Sequence, residues 1–367
     1  MDNRRYLFID NIRWVVVMLV LLYHVFYNYN TLGVFGGIGG FKPDQWQDVV
    51  GTLLNPWFMP LLFVVAGASS RYALQHHTTK EFRIERRRKL LIPSTLGIMV
   101  FGWVLGMINM ANANFELPEG TPLWVIYLVS LPSGTAHLWF IQDLFVFSLL
   151  LLLVRKLIDV KCVDKWISAL PKYGIALVMV AVFGMLYITS LTQIDNPSPA
   201  MGLLNLYRPI YYLAIFLMGY YLFSSEAIHD YLASRAKLLV VLALISAMTF
   251  AVKFYGVDYT LPYVVQSPVC TLFCWTSILA MFGGFKRWAD KTSTFASYMA
   301  RSSFGVYIVH MTVCSGACMI LKQTVLPIWS IYAITIAITF GGSFLLWEIL
   351  RRVPFVRWCV FGIKAQR

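Results

Sequence analysis

Charge is scarce in this sequence. Only 13% of its 367 residues are Asp, Glu, Lys or Arg, about half the share of a soluble protein, which excludes an ordinary water-soluble domain. Period-two alternation is missing too: the apolar runs are continuous, which excludes a membrane β-barrel. No Cys-x-x-Cys occurs among the six cysteines, and the pairs Cys270/Cys274 and Cys314/Cys318 lie inside apolar runs, where small buried thiols are the expectation and a metal is not. No small-residue cleavage site follows the first apolar run, so a removed signal peptide is not expected. Internal repeats, low-complexity tracts and stretches with the make-up of a soluble domain are likewise missing. The expectation is a single membrane domain over 1–367.

What the chain does have is hydrophobic length. Fifty-nine per cent of it is apolar, and a hydropathy reading predicts an all-α polytopic bundle of about ten transmembrane helices. The expected spans are Ile12–Leu32, Thr52–Leu74, Leu91–Ala111, Leu138–Leu157, Tyr173–Gln193, Tyr207–Phe223, Lys237–Tyr255, Pro262–Phe285, Ser303–Leu321 and Val325–Leu350. Pro56, Pro60 and Pro268 fall inside spans, where neighbouring helices can re-satisfy the backbone. The loops Gly33–Gly51 and Asn112–Ala136 are each expected to carry a short interfacial helix.

Basic residues are distributed with a strong bias. Of thirty Lys and Arg, all but Lys42, Arg208, Lys253 and Lys322 fall on one side of these spans, seven of them between Arg71 and Lys89. The positive-inside rule then puts both termini in the cytoplasm. The net charge of +13 is therefore read as topology, not as a nucleic-acid footprint.

Ionisable residues inside spans carry the functional signal, because each costs roughly 2.5–3.5 kcal/mol at the bilayer centre. In "DNIRWVVVMLVLLYH", Arg13 and His24 are eleven residues apart, which places them on one helical face about 16 Å apart along the axis. Asp10 shares that face. Arg13 is expected at the cytoplasmic mouth and His24 beyond the bilayer centre. "HLWFIQD" brings His137, Trp139, Gln142 and Asp143 to the outer start of the fourth span. Asn55 with Trp57 and Arg208 start the second and sixth spans at that level, so Asn55, His137, Trp139, Gln142 and Arg208 are read as a set around an outward-facing site near His24. "SSFGVYIVH" puts Tyr307 and His310 three apart in the ninth span, in its inner half. Singly, the tryptophans read as interfacial belt residues and Arg13 as a snorkelling anchor. Glu348 reads as a partner of Arg351 or Arg352.

These residues resemble the opening and the later motifs of the acyltransferase-3 family of integral-membrane acyltransferases. The match lies in Asp10-x-x-Arg13 followed by His24, "WFMPLLFVVAG", the basic run into "KLLIP", "HLWF" and "SSFGVYIVH". The closing "ILRRVPFVRWCVFG" is similar to the glucan-biosynthesis branch, which succinylates periplasmic glucans. The resemblance implies transfer of an acyl group, acetyl or succinyl, from cytoplasmic acyl-CoA to a hydroxyl of an extracytoplasmic glycan or other envelope acceptor, in the inner membrane and without a metal. On that reading Arg13, Arg83, Arg86, Arg87, Arg88 and Lys89 meet the anionic CoA head. Tyr307 and His310 line the donor path, and His24 is the general base or acyl carrier, with Asp143 orienting its ring. The alternative is a proton-coupled transporter. Against it, no inverted repeat is visible, and no pair of broken helices is expected on the outer side.

Overall fold

The computed structural model describes residues 6–43, 45–115, 117–192 and 208–363. The described residues form an all-helical bundle without strands. Among the described residues eight helical segments are long and apolar enough to cross a membrane: Leu7–Asn28, Asp48–His76, Ala136–Leu157, Lys172–Ser190, Ala236–Phe254, Pro268–Trp288, Thr294–Leu321 and Ile328–Leu350. The ends of the expected spans at Gln193 and Tyr207 lie outside the described residues.

Helix Leu7–Asn28 runs through the centre. It packs on Thr294–Leu321, on Phe58–His76, on Pro268–Trp288 and on Ile328–Leu350. Burial differs sharply between the helices. Pro268–Trp288 and Thr294–Leu321 bury 72% and 67% of their apolar windows, whereas Ala236–Phe254 and Ile328–Leu350 bury 22%. The last two therefore form the rim, and their exposed Leu, Ile and Val face the place of lipid.

Two expected spans form only short apolar helices. Leu91–Ala111 is split into wide turns at Arg87–Leu91 and Ile98–Gly102, followed by a helix that ends at Asn112. Pro93 lies between the two turns, and a proline can neither donate to the preceding turn nor fit against it. The chain answers with wider-spaced bonds, Ile92 N–H to the Arg87 carbonyl and Gly97 N–H to that of Ile92. The sixth is Pro209–Tyr221, opened by a proline in its first turn.

The end of the bundle opposite the basic run carries breaks that were not expected. Asp48–Leu54 and Phe58–His76 are separated by a turn at Asn55–Trp57. Pro262–Val265 is separated from Pro268–Trp288. Pro56 sits at the first break, Pro268 opens the helix after the second, and Pro60 lies in the first turn of Phe58–His76. Of the two loops expected to carry interfacial helices, one holds Leu123–Ser133, which packs on Trp103–Asn112. The other is a glycine-rich coil tied by Lys322, whose ammonium donates to the Ile38 and Gly39 carbonyls at 2.7 and 2.8 Å.

Close helix crossings rest on glycine. A Cβ on Gly67 would fall 2.1 Å from the Phe216 carbonyl oxygen, and one on Gly219 would fall 2.2 Å from that of Val64. Helices Phe58–His76 and Pro209–Tyr221 thus meet backbone to backbone, the small-residue packing typical of membrane bundles. Cys270, Cys274, Cys314 and Cys318 are buried free thiols.

Candidate functional site

Three histidines from three separate elements converge in the middle of the bundle. His24 comes from Leu7–Asn28, His137 from the short turn Ala136–Leu138, and His310 from Thr294–Leu321. His24 Nδ1 and His310 Nε2 are 3.1 Å apart. The His137 ring centroid lies 4.8 Å from that of His310 and 6.5 Å from that of His24. His310 is fully buried and His137 nearly so, while His24 is half-buried and keeps accessible surface.

His310 was expected in the inner half of its span. The structure corrects this, because the helix begins at Thr294, capped by the Ser293 hydroxyl, nine residues before the expected start. At 1.5 Å per residue His24 and His310 each lie roughly 25 Å from the first residue of their helices. Equal depth lets them touch.

The partners of each ring fix its protons, since a carbonyl oxygen only accepts. His24 Nδ1 is 2.8 Å from the Val20 carbonyl and therefore carries a hydrogen. His310 Nδ1 is 2.6 Å from the Tyr307 carbonyl and carries one too. His137 Nε2 donates to the Ile308 carbonyl at 2.9 Å. In the neutral rings the remaining nitrogens are bare. His310 Nε2 faces the His24 Nδ1 hydrogen, and His137 Nδ1 is buried without a partner. His24 Nε2 makes no hydrogen bond among the described residues. A bare imidazole nitrogen on a half-buried ring is equipped to take a proton or to attack a carbonyl carbon.

Supports surround the cluster. The Tyr307 hydroxyl donates to the His137 carbonyl. Asn28, one turn beyond His24, donates to the His24 carbonyl at 2.7 Å and to Cys314 Sγ. Tyr23 reaches the Asn55 side chain at 3.3 Å, so Asn55 joins the site through its neighbour. Asp143 does not orient the His24 ring: among the described residues no hydrogen bond joins the two, and Asp143 Oδ2 is buried without a partner. The reason is that His24 Nδ1 is already held by Val20 and His310. Gln142 donates to the Ser94 carbonyl at 3.2 Å, bracing the broken segment after Pro93. Trp139 packs on Phe63 and Tyr212. The Arg208 guanidinium lies 3.8 Å over the Tyr211 ring.

A second cluster lies at the basic end of the bundle. Arg13 pairs with Asp10 at 3.1 Å and donates to Ser69 Oγ at 2.6 Å. Arg86 donates to the next hydroxyl, Ser70 Oγ, at 3.1 Å and packs over Phe82. Each serine gives its own hydrogen to the carbonyl four residues back, so its oxygen is free to accept from an arginine. Burial, with the neighbouring Arg13 charge adding to it, pushes Arg86 down to about 10, which still leaves it charged at neutral pH. Nε of Arg86 and Nε of Arg88 are buried without partners. Arg83, Arg87 and Lys89 are exposed, and Lys89 pairs with Glu85 at 2.6 Å. The serines had escaped attention in the sequence, where "GASSR" reads as small packing residues.

Helix Leu7–Asn28 is unbroken between Arg13 and His24, so their axial separation of about 16 Å stands. Among the described residues no group of three or more His, Cys, Asp or Glu side chains is placed to hold a metal ion.

Comparison with known families gives one match. A family model described as an acyltransferase domain, of the acyltransferase-3 type, covers residues 6–348. Searches of curated proteins and of solved structures return nothing similar.

Proposed function

Since the chain belongs to the acyltransferase-3 family and is a multi-pass membrane acyltransferase, we propose that it moves an acetyl or succinyl group from cytoplasmic acyl-CoA to a hydroxyl of an extracytoplasmic glycan or other envelope molecule. The basic end then faces the cytoplasm of a cell with an inner membrane, in keeping with the positive-inside rule. The glucan-biosynthesis resemblance of the C-terminal segment favours a glucan acceptor and succinyl transfer.

The observation that carries this reading is the pairing, on one continuous helix, of an arginine cluster with a bare imidazole nitrogen. Arg13, Arg86 and Arg88 take the CoA phosphates, the pantetheine arm runs along the helix, and the thioester reaches His24. Nε2 of His24 removes the proton of the acceptor hydroxyl as its oxygen bonds to the thioester carbon. The carbon–sulfur bond breaks, and the same Nε2–H returns the proton to the leaving thiolate. The products are an ester and free CoA, with the histidine restored. Burial in apolar surroundings shields the thioester from water.

A proton-coupled carrier is the second reading, favoured by the broken helices at the end opposite the basic run. Acyl-CoA binding by the purified protein separates the two, because a carrier of other cargo has no use for it. The test of the main reading is His24→Ala, assayed for acyl transfer in membranes with expression and CoA binding as controls. Transfer should vanish while CoA binding persists. Substantial turnover by the folded variant would place the catalytic group elsewhere.

A further inference from the structure

We infer that His310 is the positioning residue of the site: its bare Nε2 accepts the Nδ1–H of His24, holds the His24 ring with Nε2 left free for the acceptor hydroxyl, and shares the positive charge when that nitrogen takes a proton. The inference rests on the proposed role of His24 and adds a second residue to it.

The argument is one of proton bookkeeping. His310 cannot present a hydrogen to His24 in its neutral form, because its single N–H is spent on the Tyr307 carbonyl at 2.6 Å. Val20 cannot receive one elsewhere, because the His24 contact to it is also through Nδ1. One hydrogen on His24 Nδ1 is thus shared between two acceptors, a carbonyl at 2.8 Å and an imidazole nitrogen at 3.1 Å. The carbonyl belongs to the same helix, four residues back, and would hold the ring of any histidine in this rotamer. The imidazole nitrogen comes from another helix 286 positions away. It is the interaction that a packing role alone does not require.

Its value grows during the reaction. When His24 Nε2 accepts the hydroxyl proton the ring becomes a cation, and hydrogen bonds from a charged donor are roughly twice as strong as neutral ones. Among the described residues no carboxylate takes this part: Asp143 makes no hydrogen bond to either ring. A neutral imidazole does the work that an aspartate does elsewhere. It avoids placing a fixed negative charge in the apolar interior, where an uncompensated ion is costly. His310 itself is held on two sides, by its own bond to Tyr307 and by the packed ring of His137.

Two substitutions of similar length separate this role from packing. In H310Q the amide oxygen can stand at the place of Nε2 and accept from His24. In H310M the volume is kept and the acceptor is lost. The assay is thiol release from acetyl-CoA and succinyl-CoA in inverted membrane vesicles, which carry the native acceptor. H310M should lose kcat by roughly 100-fold with KM for acyl-CoA unchanged, and H310Q should recover most of it. Equal activity of the two variants, or a change in KM alone, would overturn the inference. If H310M does not accumulate, H310L replaces it. Nitrogen-15 spectra of the histidine-labelled wild type give an independent reading: His24 protonated on Nδ1 and His310 bare on Nε2 support the proposal, and a protonated His310 Nε2 overturns it. An active His24→Ala sinks the proposed function itself, whereas an inactive His24→Ala beside equal H310Q and H310M sinks only this inference.

Discussion

Tyr307 and His137 hold each other across two elements: the tyrosine hydroxyl donates to the His137 carbonyl, and the His137 ring donates to the carbonyl of Ile308, the residue after the tyrosine. The turn Ala136–Leu138 is thereby fastened to the His310 helix at two points. Tyr307→Phe removes one of them and leaves a buried carbonyl without its partner, a loss of about 1–3 kcal/mol. We expect a lower melting temperature in detergent and a reduced kcat, with acyl-CoA affinity preserved because the arginine cluster is untouched. Weakened acyl-CoA binding instead would put Tyr307 on the donor path, where the sequence reading expects it.

Arg13 and Arg86 meet adjacent hydroxyls, Ser69 and Ser70, and Arg13 also pairs with Asp10. Arg86 and Arg88 keep Nε donors that are buried without a hydrogen-bond partner among the described residues, and these an anion can take. Arg13→Ala should weaken acyl-CoA binding by roughly 10-fold or more, since hydrogen bonds to charged groups contribute about 1.5–3 kcal/mol. Arg13→Lys should recover only part, because the planar fork that spans Asp10 and Ser69 is lost. Titration of the purified protein with acyl-CoA measures both. Unchanged affinity in Arg13→Ala would remove the arginine from the donor site.

The legibility of the site followed helix continuity. Arg13 and His24 belong to one unbroken helix, so their separation came from residue number alone. His310 was misplaced in depth because "TFASYMARS" is too polar to read as a span, although its serine cap and tertiary packing make it the first two turns of a long helix. Pro93 was visible, but wide turns in the backbone around it were not, and neither were the breaks at Asn55–Trp57 and before Pro268. The contacts of Arg13 with Ser69 and of His24 with His310 depend on how helices cross. That is set by close approaches such as Gly67 on Phe216, which no periodicity encodes.

Orientation in the membrane rests on the division of basic residues. A small accessibility tag between Glu119 and Gly120, an exposed turn with open space beside Gly120, should react with an impermeant reagent applied to the outer face of the inner membrane. A second tag after Lys80, in the basic helix Thr79–Arg86, should react only after the membrane is permeabilised. The reverse pattern would invert the bundle and detach the arginine cluster from cytoplasmic acyl-CoA.

The crossing at Gly67 links packing to the donor site. Its Cβ position is occupied by the Phe216 carbonyl oxygen at 2.1 Å and the Tyr220 nitrogen at 2.8 Å, both backbone atoms that cannot rotate away. Gly67→Ala must therefore push helix Phe58–His76 off its neighbour, with an overpacking cost of typically 1–3 kcal/mol. Ser69 is two residues further along, so the same displacement moves the acceptor of the Arg13 fork. We expect Gly67→Ala to lower both the melting temperature and acyl-CoA affinity. Gly184→Ala is the control: nothing lies within 4 Å of its added methyl, and replacing a helical glycine stabilises by roughly 0.5–1 kcal/mol. Gly67→Ala that melts and binds like the wild type would show that the two helices have room to separate.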